Sequence, residues 1–100
     1  MSYTITTTFT KTTESPANAF DTMPVLTTIL TEAEITARQA AYPTTWSRDQ
    51  VSADVLVTTS TYSDKETSAS AWRDPSTTKL LEARDKWAAD NHVLITTERP

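Results

Sequence analysis

One hundred residues with 37% hydrophobic content can close a single core and are too few for two, so residues 1–100 are expected to form one domain. The net charge of −4, with nine scattered basic residues, argues against a nucleic-acid-binding surface, and cysteine is absent, so no disulfide or thiolate metal site holds the fold. No apolar run is long enough to span a bilayer and no secretory leader is visible, so a cytoplasmic chain with no membrane partner is expected.

Tyr3–Thr12 alternates cleanly, with Tyr3, Ile5, Thr7 and Phe9 on one face and Thr4, Thr6, Thr8 and Thr10 on the other. That pattern predicts a half-buried strand with its hydroxyl face outward. Glu14–Asp21 reads as a loop with Phe20 tucked inward, and Met23–Leu30 fits either an extended run or the first turns of a helix. Thr31 followed three residues later by Glu34 is a capping box, which opens a helix running to Ala41 before Pro43 stops it at Tyr42. Leu30, Ala33 and Ala37, with Ile35 and Gln39, are expected to face the sheet.

Thr44–Ser47 is a weak strand candidate, and the position of this second strand stays open. Arg48–Gln50 reads as a turn before a strong strand, Val51–Tyr62. Counted from Val51, the residues Val51, Ala53, Val55 and Val57 share the inner face, and Leu56 falls on the outer one. Ser63–Glu66 is a second capping box, and Asp74-Pro75 restarts the helix after Arg73, since Asp caps well and Pro fits the first helical position. Leu80, Ala83, Arg84 and Trp87 then recur at helical spacing. Asp90-Asn91 is the expected exit. Glycine is absent, so left-handed positions are expected to fall to Asn and Asp. His92–Thr97 closes the chain as a last strand.

The order strand, helix, strand, strand, helix, strand predicts an α+β, ferredoxin-like β-α-β-β-α-β domain, with an antiparallel sheet and helices on one face. The stretch from Tyr62 through Trp72-Arg-Asp-Pro75 and on through Leu80-Leu81 to Trp87 resembles the last strand–helix–strand of the dimeric α/β-barrel superfamily. That superfamily includes antibiotic-biosynthesis monooxygenase-like domains, and in general character the chain is similar to small dimeric ferredoxin-like proteins from marine metagenomes. The resemblance covers roughly the last half of the chain. It implies a homodimer packed sheet against sheet, with a cavity between each sheet and its helices.

The residues expected to line such a cavity are Tyr3, Ile5, Phe9, Val55, Val57, Trp72, Leu80 and Trp87, which suits a mainly apolar ligand such as a fatty or polyketide-like chain. Arg73, Arg84 or His92 would meet a carboxylate at its mouth. The same residues can equally fill a close-packed core. His92 is the only histidine, no carboxylate pair stands at ligand spacing to it, and no metal site or cofactor is expected. Haem-degrading relatives combine an Asn on the first strand, a Trp, and a His on the following helix. Here Trp72 fits the Trp, but the Asn and His are missing, so haem chemistry is not expected. Cofactor-free monooxygenases of the superfamily surround an aromatic substrate with Asn, Trp, Tyr and Arg, and Trp72, Tyr62 and Arg73 are the matching types. No catalytic constellation stands out. Small-molecule binding is therefore the leading expectation, with a cofactor-independent monooxygenase-like enzyme and a purely structural or regulatory dimer as alternatives, and whether the chain is an enzyme stays open.

Overall fold

The computed structural model describes residues 2–100. Its elements in chain order are β1 (Tyr3–Lys11), a 3-10 turn (Ala19–Thr22), α1 (Leu26–Ile29), α2 (Glu32–Ala41), β2 (Thr44–Gln50), β3 (Val55–Tyr62), α3 (Lys65–Trp72), α4 (Pro75–Asp90) and β4 (Val93–Glu98). The four strands form one antiparallel sheet in the order β2-β3-β1-β4. The helices pack on one face of it, so the fold is α+β and ferredoxin-like.

The helix starts follow from their capping residues. Thr31 accepts from the Glu34 N–H at 3.1 Å while Glu34 accepts from the Thr31 N–H at 3.0 Å, the reciprocal pair that opens α2. Asp64 takes the Thr67 N–H at 2.7 Å at the start of α3, and Asp74 takes the Ser76 N–H at 2.9 Å at the start of α4. Pro75 occupies the first turn of α4, where its missing N–H costs nothing.

β1 keeps the expected faces: Ile5, Thr7 and Phe9 are buried under the helices, and Phe20 is buried with them. β3 does not. Leu56 is fully buried and Thr58 and Tyr62 follow it inward, whereas Val55 and Val57 oppose Thr10 and Thr8 on the open face. The strand also starts later than expected. Val51, 62% exposed, belongs to the β2–β3 turn, and β2 extends through Gln50, where a turn was expected. Counting alternation from Val51 therefore assigned each face of β3 to the wrong side. Both faces carry β-branched residues, so the sequence period alone could not correct it.

α2 also departs from expectation. Leu30, just ahead of it, is buried, and Ile35 is half-buried, but Ala33, Ala37 and Gln39 are exposed and the helix buries no residue completely. Polar contacts tie it to α4 instead: Lys79 reaches Glu34 at 2.7 Å, and Arg38 donates to Ser76 at 3.0 Å and to Thr77. At the exit of α4 the left-handed residue is His92 (φ 55°), with Asn91 capping the helix in an ordinary conformation.

The core has two parts. Phe9, Ala19, Phe20, Leu56, Trp87, Ala88 and Val93 form one cluster, and Ile5, Tyr62 and Ala71 the other. Thr7 and Thr58 face each other across β1 and β3 between them, both buried. Among the described residues no helix is long and apolar enough to cross a membrane.

Candidate functional site

Two clefts open on the helical side of the molecule. The first, about 290 Å³, is lined by Tyr3, Lys65, Ser68, Ala69, Trp72 and Arg99. Its floor is one stripe of α3, since Lys65, Ser68, Ala69 and Trp72 stand at i, i+3, i+4 and i+7 and so share a helix face. Tyr3 joins from the start of β1. Arg99, just beyond β4, lays its guanidinium over the Trp72 ring, 4.3 Å from the centroid. That contact is a cation–π pair, attractive because the ring face is electron-rich. Tyr3 and Trp72 are half-buried while Ser68 is buried, so the cleft has aromatic walls, a hydroxyl at its base and two cations in its lining.

The second cleft, about 310 Å³, lies between α2 and the start of α4 and is lined by Glu34, Ala37, Arg38, Ala41, Tyr42, Asp74, Pro75 and Ser76. Its polar groups are already engaged. Tyr42 donates its hydroxyl to Asp74 at 3.0 Å, and the Ser76 hydroxyl donates to the same carboxylate at 2.7 Å. The Ser76 bonds, with help from Tyr42, hold the Asp74 carboxyl below its ordinary pKa, and the bond to Asp74 raises that of Tyr42. Tyr42 is thereby kept a neutral donor, which makes it a poor base or nucleophile near neutral pH. This network fastens helix to helix, and chemistry on a ligand would have to break it.

The expected cavity residues are distributed over three places. Tyr3 and Trp72 come together in the first cleft. Ile5, Phe9 and Trp87 lie in the core, where Phe9 and Trp87 meet edge to face with centroids 6.0 Å apart. The Trp87 indole N–H is satisfied by the Ala19 carbonyl at 3.2 Å and the Thr22 hydroxyl at 3.1 Å. Leu80 is half-buried on α4 and lines neither cleft, and Val55 and Val57 stand on the far side of the sheet.

None of the three cationic candidates lines either of these two clefts. Arg73 is exposed at the end of α3, Arg84 pairs with Asp85 at 3.0 Å, and His92 sits 3.3 Å from Glu14. Tyr62 is buried in the smaller cluster, against which Trp72 packs, and Arg73 is exposed. The cations at the first cleft are Lys65 and Arg99, which the sequence reading missed. The Lys65–Ser68–Ala69–Trp72 spacing could have found the helical stripe. Nothing local marks Arg99, because its place depends on where the chain passes after β4. Among the described residues no group of three His, Cys, Asp or Glu side chains could hold a metal ion.

The chain matches no protein-family model, and no curated protein is similar to it in sequence. Its likeness to known proteins is one of fold. SnoaB, a cofactor-independent oxygenase from Streptomyces nogalater, is 19% identical over 99% of this chain and 88% of its own, with a TM-score of 0.53. Rv0793 from Mycobacterium tuberculosis is 16% identical over 100% of this chain and 95% of its own, TM-score 0.53. An ethyl tert-butyl ether D (EthD) family protein from Bacillus halodurans is 16% identical over 100% and 99%, TM-score 0.57. At these identities the likeness shows the fold alone, a ferredoxin-like α+β sheet with helices on one face.

Proposed function

We propose that this chain binds a small amphiphilic molecule, an aromatic or aliphatic body with one acidic group, in the Tyr3–Trp72 cleft. One observation carries the reading: a single cleft sets two aromatic walls beside two cations, Lys65 and Arg99. Tyr3 and Trp72 offer apolar area, and Arg99 and Lys65 offer charge-assisted bonds to a carboxylate, phenolate or sulfonate. The ligand thus sits against α3 and the chain end, and the core beneath it stays closed.

Titration with fatty acids of increasing length and with an anilinonaphthalene sulfonate dye, read by tryptophan fluorescence, tests this. Saturable quenching is expected, with the quenched component lost in Trp72→Phe. Arg99→Ala should weaken the acids about tenfold while sparing the corresponding alcohols, the cost of one hydrogen bond to a charged group. Quenching that never saturates, or that persists unchanged in Trp72→Phe, removes the cleft as the site.

A second reading, a cofactor-independent oxygenase, is favoured by the SnoaB-like fold together with cations placed to hold a deprotonated phenol. Oxygen uptake with polycyclic phenols that disappears in Trp72→Phe would assign it. We also propose that the chain works as a homodimer in which a second copy covers the open face of the sheet. Val55, Val57 and the 61%-exposed Leu94 support this, standing among the threonines on the side no helix covers.

A further inference from the structure

The free edge of β2 is the most exposed stretch of regular structure in the molecule. Every residue of Thr44–Gln50 after Thr44 is exposed, and the helical layer reaches the strand through side-chain contacts, Gln39 to the Thr44 carbonyl at 3.3 Å and Arg48 through one amino group to the Phe20 carbonyl at 3.1 Å. Edge strands are usually blunted by charged side chains, above all lysine, by proline or by a bulge. β2 has no lysine, proline or bulge, and its two charged residues, Arg48 and Asp49, are of opposite sign: its sequence is Thr-Thr-Trp-Ser-Arg-Asp-Gln, its register with β3 runs unbroken, and Trp46 is 61% exposed.

The hydrogen-bond phase of the edge can be read from the hairpin. The Val51 N–H donates to the Val55 carbonyl at 3.0 Å, which makes that pair hydrogen-bonded. With Gln50 opposite Leu56 and alternation from there, Asp49, Ser47 and Thr45 bond toward β3. Thr44, Trp46, Arg48 and Gln50 point their N–H and C=O groups outward. The Thr44 carbonyl agrees, since it accepts from the exposed Gln39 side chain at 3.3 Å.

We propose that β2 pairs antiparallel with β2 of a second copy about a two-fold axis at Ser47. In that register Trp46 opposes Arg48 of the other copy twice, both on the helical side of the sheet. Thr45 opposes Asp49 twice on the open side, and Thr44 opposes Gln50 at the ends. Each pairing is complementary: a cation over an indole, a hydroxyl donating to a carboxylate, a hydroxyl beside an amide. The outward-pointing residues are the ones that meet as hydrogen-bonded pairs, so the ladder phase is satisfied without shifting β2 on β3. The four-stranded sheet becomes eight-stranded. This contact uses the edge of the sheet and is separate from a partner on its open face.

The chain has no cysteine, so single-cysteine variants report the geometry directly. Ser47 would face its own copy as a non-hydrogen-bonded pair with Cα atoms about 4.5 Å apart, within disulfide reach. Under oxidised glutathione, Ser47→Cys should convert largely to a covalent dimer. Thr45→Cys alone should not, whereas Thr45→Cys mixed with Asp49→Cys should give the mixed dimer. Adding Trp46→Pro to Ser47→Cys removes an outward N–H and leaves the β2–β3 ladder intact, so cross-linking should be lost while the circular dichroism stays that of the wild type. If that variant loses the wild-type spectrum, Gln50→Pro, whose N–H points the same way, takes its place. A Ser47→Cys chain that stays monomeric with a reactive thiol overturns the pairing. So does cross-linking that survives the proline or matches that of Thr45→Cys.

Discussion

Leu56 and Val57 are neighbours with opposite fates, and the difference decides how the sheet is built. Leu56 is fully buried under Phe9, Trp87 and Val93, while Val57 lies beside Thr8 on the side without helices. Leu56→Ala should therefore cost about 2–5 kcal/mol, the range for a buried large-to-small change whose cavity cannot collapse, and Val57→Ala distinctly less. Urea midpoints of the two variants measured side by side check the assignment, and equal losses would contradict it. The alternation that placed Ile5 and Phe9 correctly on β1 failed on β3, because β1 has threonine on its outer face and β3 has valine there. A hydroxyl-against-aromatic contrast is legible in sequence; valine against leucine is not. His92 shows the same limit at a turn. With no glycine in the chain, Asn and Asp are the expected left-handed residues and Asp90-Asn91 the expected exit, but the histidine takes that role, and its carbonyl is held by the Thr12 and Ser15 hydroxyls at 2.8 Å each. Both hydroxyls come from a loop some 80 positions away in sequence, so no local signal could have announced them.

At the level of elements, the helices were the readable part, since a cap is a local device and its residues sit next to the helix they start. Thr31 with Glu34 and Asp74 before Pro75 each begin a helix where the sequence put them, whereas α3 starts one residue later than the Ser63–Glu66 box predicts, with Asp64 as its cap and Thr67 as the donor. The β2 strand and the cleft on α3 were less legible, because both are defined by what neighbouring elements leave uncovered. The caps have a consequence for acid stability. The Lys79 ammonium, with the Thr31 N–H, holds Glu34 down to about 2, and hydrogen bonds from Thr67 and Ser76 depress Asp64 and Asp74 in the same direction. A carboxyl that is more acidic when folded binds its proton first in the unfolded chain. For Glu34 the stabilisation is complete above the unfolded value near 4.5 and fades as the pH drops toward 2, and for Asp64 and Asp74 it fades as the pH falls below their unfolded value of 3.8. Three of the four helices should therefore lose their N-terminal support over one acid range. The denaturation midpoint should fall steeply there and more gently in Glu34→Gln or Asp64→Asn, and identical slopes would show that the caps carry none of the effect.

The whole molecule is a layer with one finished face. Its extents of 39 × 29 × 18 Å describe a slab, with helices on one side and rows of threonine, Val55, Val57 and Leu94 on the other. Light scattering on the Trp46→Pro variant, in which only a face-to-face contact can remain, should give about twice the 11.1 kDa chain mass; a value of one chain mass would remove the second copy from that face. Beneath the same sheet, the Thr7–Thr58 pair keeps the aromatic-rich cluster around Phe9 and Trp87 apart from the smaller one around Ile5, Tyr62 and Ala71. The smaller cluster packs against Tyr3 and Trp72, the walls of the proposed binding cleft. Opening can thus start at one end of the slab without dissolving the other, since local unfolding follows contiguous packed units. In amide exchange with deuterated solvent, the ends of β1 and β3 nearest α3 would label ahead of the strand centre at Phe9 and Leu56, and a ligand held at Trp72 would slow the first set and leave the second alone.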